Sequence, residues 1–145
     1  MRSQPGGSIS EILPHRAPPG YGARILLHAI RHMGSGGIND AHAVNALIGA
    51  FGLSFRRPLV LLRAMMAEMS RVSTRSILIA PACCGRMTGA EAVMISAIAR
   101  ACDSPASAHE LLRMICGVQS CLGLLSSIQA VGQAFADLGR PISAG

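Results

Sequence analysis

A chain of 145 residues, half of them apolar, is long enough for one domain with its own core. The net charge of +6 comes from 13 basic side chains that are all arginine, so a phosphate-binding loop that ends in lysine is excluded. No apolar signal segment opens the sequence, which predicts a reducing, cytoplasmic location for the five cysteines and argues against a disulfide framework.

The first residues are rich in proline and glycine. We predict a mobile N-terminal arm over residues 1–22, followed by a single helical domain over residues 23–141. Within the arm, Ser8 and Glu11 have the spacing of a capping box, which predicts one helical turn at residues 9–13.

Apolar residues then recur at intervals of three and four, which predicts helices and leaves almost no strand-like alternation. The first helix covers residues 23–33 and precedes a glycine-rich break at 34–37. The second follows Asn39 or Asp40 as its cap and ends at Gly52, and the third covers residues 58–72 after Ser54 as its cap.

A capping box of Thr88 and Glu91 marks the start of the fourth helix, which ends near residues 103–105. The last helical region begins there and continues to Gly139 and Pro141. Together these predicted elements give an all-α protein, an irregular bundle of five or six helices with a mobile N-terminal arm.

Residues 114–136 form an uncharged segment of 23 residues, long enough to cross a bilayer. Its glutamines, Gln119, Gln129 and Gln133, would need partners in lipid, so the sequence favours the buried central helix of a soluble bundle. A membrane span and an interfacial helix remain as alternatives.

Two adjacent cysteines, Cys83 and Cys84, precede the fourth helix and lie beside Arg86. A helix N-terminus and a nearby cation favour the thiolate, which is the nucleophile and the metal ligand. If the fourth and fifth helices form an antiparallel hairpin, Cys116 returns to them, and these three thiols form a zinc or redox site. Cys121 would join only if the helix broke at Gly117. Simple core packing of the cysteines is the alternative, with no cofactor.

On the first helix, His28 and His32 stand four residues apart, a spacing that can hold a metal ion. Their neighbours Arg24 and Arg31 would repel a cation, although Asp40 and His42 could add ligands from the second helix. We therefore expect the histidines and both arginines to form a solvated helix face.

Arginines are dense between residues 54 and 86, where the only acid is Glu68. Arg56, Arg63 and Arg71 fall on roughly one side of the third helix, and Arg75 continues that side if the helix extends. Such a stripe can bind phosphates or another anionic surface. It lacks interleaved aromatic residues, which argues against stacking on single strands.

No catalytic motif is recognisable, so the sequence predicts a small intracellular, non-enzymatic binding or regulatory protein. Its arginine stripe would bind an anionic partner, a protein or a nucleic acid, and the composition also suits a homo-oligomer. Two other classes remain open. One is a thiol-redox or metal-binding protein centred on the adjacent cysteines, and the other is a membrane-associated helical protein.

Overall fold

The computed structural model describes residues 15–143 of the chain. Within this range it contains six α-helices, one 3-10 turn and a minor two-stranded sheet, which confirms the predicted irregular all-α bundle. The elements are β1 (His15–Arg16), α1 (Tyr21–Gly36), α2 (Ala41–Phe51), the 3-10 turn (Gly52–Ser54), α3 (Arg56–Val72), β2 (Arg86–Met87), α4 (Gly89–Arg100), α5 (Pro105–Cys116) and α6 (Leu122–Asp137).

Most of the predicted arm, residues 1–14 with the helical turn at 9–13, lies outside the described residues. Its last part is described and belongs to the folded domain. β1 pairs antiparallel with β2, and α1 begins at Tyr21. At Gly22 the helix approaches the C-terminal segment so closely that a Cβ would collide with the carbonyl oxygens of Arg140 and Pro141. Only glycine fits there without a backbone shift.

Local capping decides where the first helices end and begin. α1 continues through most of the glycine-rich run and ends before Gly37, whose φ of 95° lies in the region that favours glycine. The Asp40 carboxylate then caps α2 by accepting from the backbone N–H groups of His42 and Ala43 at 2.8 and 3.1 Å. The predicted cap Ser54 instead lies in the 3-10 turn, and α3 starts without a side-chain cap.

The bundle pairs α1 with α2, α3 with α6, and α4 with α5. Its core is aliphatic and methionine-rich, as the composition requires, with Met65 and Met94 almost fully buried. Phe135 on α6 is the one fully buried aromatic side chain among the described residues, and it meets Phe51 edge-to-face at 5.0 Å between ring centroids. The bundle is therefore held mainly by shape-fitting aliphatic contacts.

The last predicted helical region, which begins near residues 103–105, forms two helices, α5 and α6. α5 ends at Gly117, which adopts a left-handed conformation with φ 70°, and the chain turns before α6 begins. The Thr74 backbone N–H donates to the Cys116 carbonyl oxygen at 2.9 Å, and its hydroxyl can donate to the Gly117 carbonyl oxygen at the same distance, so both carbonyls at this helix end have a donor. The uncharged segment 114–136 is thus interrupted. Among the residues described, no helix combines the length and apolar composition needed to span a membrane.

Candidate functional site

A buried ion pair joins α1 to the start of α4. Arg31 is 4% exposed and Glu91 is fully buried. The guanidinium Nε and Nη2 donate to the two carboxylate oxygens at 2.8 and 3.0 Å, a bidentate geometry. The expectation that Arg31 lies on a solvated face is therefore wrong. Its partner Glu91 is 60 residues away in sequence, so no local pattern indicates that Arg31 is buried.

The same pair fixes the segment between α3 and α4. Glu91 completes the predicted capping box with Thr88 and also accepts from the Ala80 N–H at 3.1 Å. Arg31 donates in addition to the carbonyl oxygens of Cys84 and Arg86, at 2.7 and 2.6 Å. Every polar atom of the pair is thus matched, which a buried charge requires.

This anchoring places one of the two adjacent cysteines in the lining of a small cleft. Cys84 is half-buried in a turn closed by its N–H to the Pro81 carbonyl at 3.0 Å, while Cys83 is exposed. Cys84 lines a cleft of about 160 Å³ together with Arg24, His28 and the buried Arg31 of α1. In the sequence the cysteines and the α1 histidines are separate features, and no local pattern connects them.

The histidines form a cluster between α1 and α2. The rings of His28 and His32 meet edge-on with their centroids 4.4 Å apart, and the rings of His32 and His42 stack with centroids 4.9 Å apart. His32 Nδ1 is 3.7 Å from the Asp40 carboxylate. Partial desolvation of the exposed His28, followed by His32, His42 and Arg31, lowers its pKa below the ordinary value of 6.5. The neutral imidazole form of His28 is therefore favoured.

The remaining member of the predicted thiol site lies elsewhere. Cys116 is fully buried at the end of α5, and the break at Gly117 brings Cys121 close enough to act on its ionisation. Burial raises the pKa of both thiols, and the neighbouring Cys121 raises that of Cys116 further. Both are therefore kept protonated, which makes them poor nucleophiles.

A zinc site would require at least three converging ligands. Within residues 15–143, no three histidine, cysteine, aspartate or glutamate side chains are grouped in a way that could hold a metal ion. Cys83, Cys84 and Cys116 are therefore not grouped as metal ligands, and Cys116 is packed in the core.

The predicted arginine stripe is shorter than its spacing indicates. Arg56 and Arg63 share one face of α3, with the exposed Val60 between them. Arg71 makes a bidentate pair with Glu68 one turn earlier. Arg75 lies beyond the end of α3, and its Nη1 donates to a carbonyl in the last turn of α5 at 3.0 Å. The stripe is thus reduced to the first half of the helix.

The fold and these surfaces define a small helical-bundle protein with a basic outer helix and a thiol-bearing cleft. The chain belongs to the family of unknown function DUF6628, which it matches over residues 9–139. No curated protein and no solved structure shows significant similarity to it.

Proposed function

We propose that the protein is a small intracellular, non-enzymatic binding or regulatory protein that engages an anionic protein partner through the outer side of α3. The observation that carries the proposal is the position of Val60, which is 60% exposed and lies between Arg56 and Arg63 on one helix face. A large apolar side chain flanked by two guanidinium groups is typical of a contact surface.

The exposed apolar side chains and the arginines on this side of α3 form one continuous surface. Arg63 Nε donates to the Ile38 carbonyl oxygen at 2.9 Å, which joins the exposed Ile38 side chain to the helix face. At the other end, Leu53 of the 3-10 turn is 100% exposed and precedes Arg56 by three residues. We call this surface the α3 outer face, made of Ile38, Leu53, Arg56, Val60 and Arg63.

The charge of this face is not cancelled by neighbouring acids. The nearby carboxylates are already paired, Glu68 with Arg71 and Asp137 with Arg57 at 2.9 Å. In the described part of the chain, neither Arg56 nor Arg63 forms an ion pair. The Arg56 guanidinium and the two Nη groups of Arg63, whose Nε donates to Ile38, are therefore available for a carboxylate or a phosphate.

The mixture of groups favours a protein over a nucleic acid. Guanidinium binds carboxylates in a bidentate manner, and apolar side chains such as Val60 and Leu53 gain free energy only where the partner offers apolar surface. A nucleic acid would use the arginines and leave these side chains largely unused. We therefore expect an acidic protein surface with exposed aliphatic groups.

The test uses two synthetic peptides, one alternating Glu and Leu and the other alternating Glu and Ser, with duplex DNA and anionic phospholipid vesicles as further probes. We expect salt-sensitive binding of the Glu–Leu peptide that is weakened by Arg56→Gln with Arg63→Gln and also by Val60→Ser. Arg100→Gln, at an exposed arginine on α4, is the matched control and should bind as the unchanged protein does.

Three outcomes would contradict the proposal. Binding of DNA that is unaffected by Val60→Ser would identify a nucleic-acid surface. Vesicle binding that depends on Leu53 would favour the membrane-associated alternative. Absence of binding to all four probes would show that the α3 outer face is an ordinary solvated surface.

A further inference from the structure

The cleft between α1 and the turn at residues 81–84 brings three kinds of reactive side chain together. It has a volume of about 160 Å³, and the residues that line it include Cys84, His28 and Arg24. A thiol, a base and a cation are the parts that nucleophilic thiol chemistry uses. Neither the family match nor the function proposed above assigns a role to this cleft.

The geometry of the cleft is fixed rather than incidental. Arg31, which follows His28 on α1 by three residues, donates to the Cys84 carbonyl oxygen at 2.7 Å. Because Arg31 is also paired with the buried Glu91, the turn cannot move away from α1 without leaving a buried guanidinium short of one acceptor. The backbone of Cys84 is thus held next to α1, the helix that carries His28.

His28 is suited to accept a proton. Partial desolvation and the neighbouring His32, His42 and Arg31 disfavour the charged form, which favours the neutral imidazole with its free nitrogen lone pair. His32, whose ring meets that of His28 edge-on, is in turn 3.7 Å from the Asp40 carboxylate, which can stabilise positive charge that develops on the histidine cluster.

The two cleft arginines differ in what they can do. The hydrogen bonds of Arg31 are directed to Glu91, Cys84 and Arg86, so that side chain is structural. Arg24 is exposed at the rim and forms no ion pair within residues 15–143. It is therefore the cation available to an incoming anion.

We propose that the cleft is a covalent-modification site, in which the Cys84 thiol reacts with a small carboxylate that carries an electrophilic carbon. Arg24 binds the carboxylate, and His28 accepts the thiol proton as the sulfur–carbon bond forms. If that carbon carries a leaving group, the bond to the group breaks and its electron pair leaves with the group. If the carbon belongs to an activated alkene, the π-electron pair moves to the adjacent carbon, which takes the proton back from His28.

The test compares iodoacetate with iodoacetamide, which differ in charge and hardly in size. For both reagents the sulfur–carbon bond forms, the carbon–iodine bond breaks and iodide leaves. Alkylation rates are followed by peptide mass spectrometry in a Cys83→Ser background, so that the label on Cys84 is unambiguous. The exposed Cys102 in the same molecule serves as the reference thiol.

We expect the ratio of iodoacetate to iodoacetamide rates to be about fivefold higher at Cys84 than at Cys102, since Arg24 is an exposed cation. Arg24→Gln should abolish this preference and leave the iodoacetamide rate unchanged. Arg100→Gln, at an exposed arginine at the end of α4, is the control and should have no effect.

His28→Asn should slow both reagents at Cys84 by at least about tenfold at pH 7 and change the pH profile of the rate, without affecting Cys102. His28→Gln is measured in parallel to separate loss of the base from a local packing defect. The two replacement side chains differ in size and neither is a base, so loss of the base predicts the same reduction in rate for both variants. Equal reagent ratios at the two thiols would overturn the proposal. So would a Cys84 rate that is unaffected by either His28 variant in a protein that unfolds normally.

Discussion

Replacement of Arg31 by methionine is the sharpest test of how this fold is held together. The change keeps most of the side-chain volume and removes the charge and all four hydrogen bonds that the guanidinium makes. Glu91 would remain fully buried, with only the backbone N–H groups of Ala80 and Thr88 as donors. An uncompensated carboxylate in the core is among the most destabilising defects known.

Loss of one partner of a buried ion pair costs about 3–5 kcal/mol, a large part of the roughly 5–15 kcal/mol that stabilises a domain. We therefore expect Arg31→Met to lower the melting temperature by roughly 10 °C or more. Arg31→Lys should be intermediate, because an ammonium group keeps the charge but cannot form the fork that reaches Glu91 and two carbonyl groups together.

The measurement is equilibrium urea unfolding followed by circular dichroism, with hydrogen exchange at the Ala80 and Thr88 amides as the local readout. Glu110→Gln, which breaks a solvent-exposed pair with Arg113, is the matched control and should change stability little. A cost for Arg31→Met below about 1 kcal/mol would refute the argument, since it would show that the pair is replaceable by apolar packing.

Three further predictions follow from close contacts and ionisation. Gly22→Ala should destabilise the protein in thermal melts because its Cβ would meet two carbonyl oxygens of the C-terminal segment, whereas Gly49→Ala, in open space within α2, should stabilise it by about 0.5–1 kcal/mol. Because the pKa of His28 is lowered in the fold, the free energy of unfolding should decrease as pH falls below about 6.5, and His28→Gln should reduce this loss in urea titrations at pH 5 to 7. Burial should protect the Cys116 and Cys121 thiols from iodoacetamide at pH 8 until the protein is unfolded, and rapid native-state labelling would contradict their placement.

Local chemistry allowed much of the helical bundle to be predicted. Asp40 caps α2, and Thr88 with Glu91 caps α4, as their side-chain spacing indicates. Both caps depend on residues within three positions of each other, so sequence alone contains the information. The end of α2 at Gly52 is likewise indicated by a residue at the helix boundary itself.

The break after α5 could be recognised only in part. Gly117 is visible in the sequence, but the apolar period continues across it and predicts one helical region. The left-handed turn is closed locally by the N–H groups of Gly117 and Val118 on the Arg113 carbonyl, and Thr74, more than 40 residues earlier, adds donors for the carbonyl groups that the helix end exposes. Local and distant contacts therefore combine at this boundary.

What the sequence by itself determined is the helical class, the aliphatic core and the capped helix starts, since these depend on periodicity and on neighbours along the chain. Only the tertiary structure decided that Arg31 is buried against Glu91 and that Cys84 and His28 line the same cleft. The physical reason is that the burial of a polar side chain depends on whether a partner reaches it. Those partners come from segments more than 50 residues away, whose positions no local pattern encodes.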